Sequence, residues 1–458
     1  MRRRIYRLLL NTISYIEEML DNPFSSNVIK CAFRDLVKYA EYVEDNKAVY
    51  IDQVLKVFWI YIEEGNSNYF SLEFGQLKKV TFDLQSNIHV DFIILRQTHW
   101  GAIRPLVDAF LSRKCKVRII PTPMIQEQQD HWGNELAKLI TRDGYSIVDF
   151  EKYDIEKEIP DIVIDNMAVD CAKIPEVRFL RVSAAVENII HIEHSILTGY
   201  NEVMKRAHFR IGRSRCWQYV VPSPLFSVAF PLIFRIDGDF LPLGCPELDS
   251  VFSISIQKEK DPQKAFSVLW NIDALDPDKD VPGDFERLEK EIYYLGEMAS
   301  KYPDIQNVVR VHPNFCNQER CAVLQKQLDI LSNNNGNIVY DTNALIYETY
   351  NDVDAMVTWM SSSTLFSFGA TGKPVIVIPT FINGGYDTML DMRMLQVIPI
   401  AFSKRDIELF FDTMKNDFMK EKRMKILKEY TGPVDGTASI KIVNEALRRY
   451  EEYFKRVL

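Results

Sequence analysis

Three consecutive serines, Ser361, Ser362 and Ser363, stand in the stretch VTWMSSSTLFSFGATGKPVIVIP, which runs from Val357 to Pro379. An apolar run typical of a strand precedes them, and a run typical of a helix follows. Serine hydroxyls and backbone amides at such a junction can bind the oxygens of a phosphate group. Serines also cap helices at this position, and the two roles are compatible. The three serines are therefore candidate phosphate ligands.

A histidine and an arginine could act on the same anion. His312 follows the strand-like run VVRV and precedes a proline, and Arg310 should share its strand face because side chains alternate. An imidazole at a strand end can serve as a base or as a phosphate partner near neutral pH. A guanidinium suits an anionic substrate. The alternatives are a loop histidine fixed by proline and an ordinary solvated arginine.

Polar residues end an earlier strand in the same way. The stretch RQTHWGAIRPL places Gln97, Thr98 and His99 at the end of the first β-branched run, and Gly101 at the start of its helix. Ligands of open α/β sheets bind outside the carboxyl ends of the strands. We therefore expect these four residues to face a cleft from the other side.

Two other stretches carry weaker signals. GCPELD forms a tight turn that ends at Asp249, near an expected domain junction. HIEHSILTG offers His191, Glu193 and His194, but their spacing fits neither the HExxH zinc helix nor a Cys/His structural site. No metal site is expected there.

The pattern of apolar residues predicts the elements that position these groups. Helical spacing extends to about residue 80, and from Val90 onward β-branched runs alternate with helical stretches, as in βα units on a parallel sheet. A second alternation starts at AFSVLWNI. We predict an α/β protein with two Rossmann-like domains that face a cleft: a helical extension (1–82), the first domain (83–250), the second domain (251–430) and a C-terminal helix (431–458).

Composition limits the class of protein. The chain has 458 residues, of which 47% are hydrophobic and 26% charged, as in globular proteins. Its net charge of −9 argues against a protein that coats nucleic acid. Seven cysteines occur without a CxxC pair, which favours a reducing, cytoplasmic compartment. The N-terminus reads as an amphipathic helix, and Arg2 to Arg4 either end a solvated helix or touch an anionic membrane surface.

In this order, the stretches resemble the CDP-glycerol glycerophosphotransferase family, which comprises the teichoic-acid polymerases and their relatives and has the GT-B arrangement. The resemblance covers roughly residues 90 to 450. Each piece alone is moderately specific, and the argument is that they are collinear. The pieces are HWGAIRPLVDAF with VRIIPTP, PDIVIDN, GCPELD, VLWNIDAL, VRVHPNF, NDVDAMVTWMSSSTLFSFGATGKPVIVIP and DGTASIKIVNEAL.

The resemblance implies a transferase that uses CDP-glycerol or another CDP-polyol as substrate and needs no cofactor. His312 would match the histidine of the family's His-Pro pair, and Ser361 and Ser362 would match serines that hold the donor pyrophosphate. An acceptor hydroxyl of a surface glycan or lipid-linked molecule would attack the phosphorus that bears the polyol, and CMP would leave. The residues expected at the donor are Arg310, Ser361, Ser362, Ser363 and Lys373, and those at the acceptor are Gln97, Thr98, His99 and Gly101.

Two departures from the family pattern stand out. Trp359 and Met360 replace an Asp-Tyr pair, and Asn271 and Asp273 lie where relatives commonly have a second histidine. Asp273 could act as the base together with His312, because a desolvated carboxylate can accept a proton from a hydroxyl. It could equally be an ordinary turn aspartate.

Two other functions stay open at this stage. One is a GT-B glycosyltransferase that uses a nucleotide sugar for capsule or surface polysaccharide, and the other is a non-catalytic relative that binds a nucleotide. For the helical extension, the open roles are packing on the first domain, formation of a homo-oligomer and recruitment to an acceptor at the inner membrane face.

Overall fold

The fold is α/β, as the sequence pattern predicts: an all-helical segment comes first in the chain, and two parallel sheets follow it. None of the described helices is long and apolar enough to cross a membrane. The computed structural model describes residues 2–20, 22, 25–43, 47–86, 88–123, 132–158, 160–166, 173–192, 216–228, 239–257, 264–272, 284–312, 321–360, 362, 364–379, 381–382, 385–386 and 393–457.

The helical segment has a hydrophobic core of its own. Apolar residues recur every three or four positions, so each helix has one face to bury, and these faces meet around residues such as Leu9, Phe33, Val54 and Phe70. The helices are α1 (Arg2–Met19), α2 (Ser26–Ala40), α3 (Lys47–Glu64) and α4 (Asn68–Ser86).

The first sheet has the strand order β2-β1-β3-β4-β5-β6. All its neighbouring strands are parallel, so their carboxyl ends lie at one edge. The order reverses between β1 and β3, where such sheets open a crevice for ligands. Its elements are β1 (His89–Ile94), α5 (Gln97–Ser112), β2 (Lys116–Pro121), α6 (Trp132–Arg142), α7 (Ile155–Glu158), β3 (Ile162–Asp165), α8 (Phe179–Ala185), β4 (Ile189–Ile192), β5 (Gln218–Val221), β6 (Phe240–Pro242) and α9 (Pro246–Gln257).

The second sheet has the order β11-β10-β7-β8-β9 and is also parallel. Its reversal point lies between β7 and β10. The elements are β7 (Phe266–Ile272), α10 (Asp284–Lys301), β8 (Ile305–Val311), α11 (Ala322–Asn334), β9 (Ile338–Tyr340), α12 (Ile346–Tyr350), β10 (Ala355–Trp359), α13 (Thr364–Gly369), β11 (Val375–Ile378), the hairpin β12 (Phe381–Ile382) and β13 (Gly385–Tyr386), α14 (Lys404–Thr413) and α15 (Lys420–Thr431).

The last helix, α16 (Ala438–Val457), returns to the first domain. Its first two amides donate to the carboxylate of Asp249 on α9, from Ala438 N at 3.1 Å and from Ser439 N at 2.7 Å. Gly244 has a φ of +104°, and a Cβ there would lie 2.7 Å from that of Ala438. The GCPELD turn therefore holds the start of the C-terminal helix.

One hydrophobic core runs through both domains. It joins α5 and α9 of the first domain to α12, α13 and α15 of the second, and includes residues of α16. The outer faces of the two sheets bury separate cores. The two sheets are thus held together by the helices between them.

Replacing Asp249 by alanine should destabilise the protein by about 2 kcal/mol, because two helix amides lose their acceptor in a buried setting. Urea unfolding followed by circular dichroism measures the change. Asp304→Ala, at an exposed position before β8, is the control and should stay within about 0.5 kcal/mol of the parent. An equal loss in both variants would contradict this role of Asp249.

Candidate functional site

A row of polar side chains ends one face of the second sheet at its carboxyl edge. Register pairs Thr358 of β10 with Asn271 of β7, and Asn271 with Arg310 of β8. Paired residues of a parallel sheet share a face, and the preceding residues on this face, such as Leu269 and Met356, belong to the core shared by the two domains. The row therefore lies at the reversal point of the sheet, on the side of the first domain.

Asn271 is the centre of a hydroxyl cluster. Its Nδ2 lies 3.0 Å from Thr358 Oγ1, 3.2 Å from Thr364 Oγ1 and 3.4 Å from Ser362 Oγ. The hydroxyls also contact one another, at 2.8 Å between Ser362 and Thr364 and at 3.3 Å between Thr358 and Thr364. Thr358 is fully buried, while Ser362 and Thr364 are half-buried. Of the residues in this cluster, the sequence analysis predicts only Ser362 as a ligand; the alternation of side chains along β10 is the signal that could have identified Thr358.

His312 lies beside this cluster along the same edge. It directly follows β8, its backbone N–H donates to the carbonyl of Ile272 at 2.8 Å, and it is half-buried. Three other residues predicted for the site, Ser361, Ser363 and Asp273, lie outside the described residues. The described part of the predicted site is therefore His312, Ser362 and the polar row beneath them.

The guanidinium of Arg310 holds a loop of its own domain. It forms an ion pair with Asp341 and donates to the carbonyls of Asn343, at 2.9 Å, and Ala344, at 3.2 Å. Asp341 also accepts a hydrogen bond from Thr349 Oγ1 at 2.6 Å. Arg310 thus fixes the segment between β9 and α12, and most of its donors face that segment.

Lys373 lies at the other edge of the sheet. It precedes β11, and its ammonium donates to the carbonyls of Val353, at 2.6 Å, and Tyr350, both of which precede β10. The amino ends of these strands are opposite the edge that carries Ser362. The structure therefore does not bring Lys373 together with the hydroxyl cluster.

Trp359, one of the residues at which the sequence departs from the pattern that it resembles, faces away from the cluster. Its indole N–H donates to the buried Glu291 at 2.6 Å, and the guanidinium of Arg287 lies 5.2 Å from its ring centre. Both partners belong to α10, on the opposite side of the sheet from Thr358. This departure therefore packs α10 against the sheet.

The predicted acceptor residues lie at the start of α5, next to the second domain. Thr98 is exposed, Gln97 is half-buried and His99 is buried. A Cβ on Gly101 would lie 2.8 Å from the ring of Tyr347 and 3.1 Å from Leu345. Gly101 thus permits close packing of α5 on the segment that Arg310 holds, and the other three residues lie on the turn before it.

A buried ionic cluster near the end of β3 was missed by the sequence reasoning. Asp165 contacts the ammonium of Lys173 at 2.8 Å and Nδ1 of His191 at 3.4 Å. Burial alone would raise the pKa of Asp165, but the charge of Lys173 and the hydrogen bond from His191 hold it well below its usual range. His191 and Lys173 are almost fully buried, so the cluster lies beneath the surface of the sheet edge. The described residues contain no group of His, Cys, Asp and Glu that could hold a metal.

Glu247 forms a second buried polar contact, between the domains. It lies on α9 and hydrogen-bonds Tyr347 of α12 and Ser367 of α13, and Ser367 Oγ lies 2.9 Å from the hydroxyl of Tyr350. Burial raises the pKa of Glu247 to about 7, although the two hydrogen bonds pull it down. Near neutral pH, this carboxyl is therefore partly protonated in the folded protein.

Comparisons with known proteins identify the fold. No protein-family model matches the chain, and neither does any curated protein. Among solved structures, it is similar to UDP-GlcNAc 2-epimerase from Methanocaldococcus jannaschii, with 14% identity, a TM-score of 0.53 and coverage of 79% of this chain and 100% of that one. It is also similar to S. aureus MnaA in complex with UDP, with 14% identity, a TM-score of 0.53 and coverage of 81% of this chain and 98% of that one. The wall teichoic acid polymerase TagF is similar with 12% identity, a TM-score of 0.50 and coverage of 89% of this chain and 99% of that one.

These likenesses establish the fold. The chain has the GT-B arrangement, with two Rossmann-like domains, as predicted from the sequence. At identities of 12–14%, these likenesses show the fold alone.

The Glu247 contact predicts a pH dependence of stability. The unfolded carboxyl releases its proton near the ordinary value of 4.5, and the folded one near 7. The folded state therefore binds more protons between these values, and its stability should fall by about 3 kcal/mol as the pH rises through this window. Glu247→Gln should remove this part of the slope and stabilise the protein at pH 8.

Urea midpoints of both proteins at pH 4, 5.5, 7 and 8.5 measure the effect. Glu289→Gln, at an exposed position on α10, is the matched control. A stability difference between Glu247→Gln and the parent that is the same at all four pH values would rule out the protonated carboxyl.

Proposed function

We propose that this protein is a transferase that takes a polyol phosphate, such as glycerol phosphate, from a CDP-linked donor to a hydroxyl of a surface-glycan or teichoic-acid-like acceptor. The observation that supports it most is the hydroxyl cluster around Asn271 at the reversal point of the second sheet. A crevice at this point, outside the carboxyl ends of the strands, is where ligands bind in such sheets.

The chemistry of the cluster suits a diphosphate. Ser362 and Thr364 are half-buried hydroxyls that can donate to phosphoryl oxygens, and His312 follows the next strand. Helix α13 has only six residues, so its dipole adds little and the side chains must supply most of the donors. Asp341 neutralises Arg310, so this part of the site attracts an anion mainly by hydrogen bonding.

The extent of the structural likeness favours a TagF-like reaction over an epimerase-like one. Residues 88–458 make up about 81% of the chain, close to the share that the two UDP-binding structures cover. The match to TagF covers 89% and must therefore reach into the helical segment that precedes β1. One TagF structure was soaked with CDPG. We infer that this protein, which shares part of its helical segment with TagF, also shares the use of a CDP-linked donor.

In the proposed reaction, the acceptor oxygen forms a bond to the phosphorus that carries the polyol. The bond from this phosphorus to the bridging oxygen of the diphosphate breaks, and CMP leaves with the bonding electron pair. His312 or Asp273 takes the proton of the acceptor hydroxyl. The hydroxyls of Ser362 and its neighbours stabilise the charge that develops on the phosphoryl oxygens. Thr98 and Gln97, at the start of α5, are the proposed contacts for the acceptor.

A second candidate is a glycosyltransferase that uses a UDP-sugar. The similarity to two proteins whose structures contain UDP, at a TM-score of 0.53 against 0.50 for TagF, favours it. The two reactions differ in the nucleotide they release: CMP in the first, UDP in the second.

A nucleotide-release assay tests the proposal. Purified protein is given CDP-glycerol, CDP-ribitol, UDP-GlcNAc or UDP-glucose, with and without a polyol-phosphate acceptor, and the free nucleotides are separated by chromatography. We expect CMP that depends on the acceptor. His312→Ala should lower the rate of CMP release by about 100-fold or more. Ser362→Ala should lower kcat/KM for the CDP-linked donor by about 10-fold.

Ser300→Ala is the matched control for Ser362→Ala. Its hydroxyl is exposed on α10, bonds the carbonyl of Gly296 and should have no effect on release. UDP in place of CMP would move the protein to the second candidate. No release from any donor would contradict both and leave a nucleotide-binding protein without transferase activity.

A further inference from the structure

The contacts of Asn271 determine the direction of every proton in the hydroxyl cluster. Its Nδ2 carries two protons and has no lone pair to accept one. These two protons can serve two acceptors, and the two nearest are the hydroxyl oxygens of Thr358, at 3.0 Å, and Thr364, at 3.2 Å. The hydroxyls of Thr358 and Thr364 therefore accept from Asn271, and each keeps its own proton to donate elsewhere.

The chain of donation starts at the buried end. Thr358 is 0% exposed, and a buried hydroxyl needs a partner for its proton. Among the side-chain contacts of the described residues, the only acceptor within its reach is Thr364 Oγ1 at 3.3 Å. Thr364 in turn lies 2.8 Å from Ser362 Oγ, to which it must donate. The proton of Ser362 is then directed out of the cluster.

We propose that Asn271 is a positioning residue that orients this chain of hydroxyls, so that Ser362 presents its proton to a phosphoryl oxygen of a nucleoside diphosphate. The inference rests on the proposed donor site and names the group that selects its ligand. Hydrogen bonds in a chain polarise one another, so the terminal donor is stronger than an isolated serine. A ligand oxygen with lone pairs and negative charge is the partner that gains most.

The side chain at position 271 should therefore determine whether Ser362 offers the ligand a proton or a lone pair. A carboxylate there would accept protons from the hydroxyls, reverse the chain and leave the lone pairs of Ser362 facing the ligand. Its charge would also repel phosphate. Protonation of that carboxyl would restore a donor at the same place, so the effect should depend on pH.

The test measures the binding of CDP and of inorganic pyrophosphate by calorimetry, with cytidine as the ligand that lacks phosphate. Asn271→Asp should weaken the binding of CDP and of pyrophosphate by about 10- to 100-fold at pH 8. Relative to the parent at each pH, its affinity should recover as the pH falls toward 5. Thr364→Val, which breaks the chain without adding charge, should weaken both ligands at all pH values.

Asn307→Asp is the matched control. Asn307 is a fully buried asparagine on β8 whose Oδ1 accepts from the indole of Trp270 at 2.9 Å, on the other face of the same sheet. It tests whether any buried carboxylate in this sheet weakens binding. Circular dichroism of each variant checks that it is folded.

The outcomes separate this inference from the proposed function. Parent-like binding by Asn271→Asp, an equal loss in Asn307→Asp, or a loss in Asn271→Asp that does not change with pH would each overturn the role of Asn271 and leave the donor site standing. If the parent protein binds neither CDP nor pyrophosphate, the donor site and the role of Asn271 are both wrong.

Discussion

The contact between Gly101 and the segment that contains Leu345 and Tyr347 sets the relation between the two domains. A side chain at Gly101 would need the space that the ring of Tyr347 occupies, so the first turn of α5 can approach the second domain only because this residue is glycine. The same segment is held from behind by Arg310 and Asp341. The carboxyl edges of the two sheets are therefore connected through one short piece of chain.

The two ends of the second domain are tied to the same region. Asp249 on α9 caps α16, which packs on α5, and Glu247 on the same helix bonds α12 and α13. The partners of Asp249 lie 189 and 190 positions away in the sequence, and those of Glu247 lie 100 and 120 positions away. Rotation of one domain against the other would therefore break identifiable hydrogen bonds, namely those of Asp249 and Glu247. The ionisation of Glu247 therefore links this junction to pH.

The sequence predicted the sheet architecture because each strand is a short β-branched run between helical patterns. It also predicted which strand ends carry polar residues, since these residues follow directly from the pattern. It did not predict partners. Arg310 and Lys373 were both expected at the donor because cations suit anions, but Arg310 holds a loop, and Lys373 lies at the amino edge of the sheet. Similarly, Asp249 gave only a weak signal until α16 was placed against it.

Register explains the part of the site that sequence reasoning overlooked. Asn271, Thr358 and Arg310 become neighbours only when β7, β8 and β10 pair in a particular alignment, and a shift of one residue would put the tryptophans of the opposite face in their place. With Arg310 neutralised by Asp341, the described part of this edge offers a ligand hydroxyl protons more than positive charge. Hydroxyls bind strongly only when their direction is fixed, because a freely rotating O–H can turn toward any neighbour. In the proposed site, the NH2 group of Asn271 on β7 supplies this direction, because it donates and cannot accept. This gives one buried asparagine more influence on the ligand than the nearby Arg310 has.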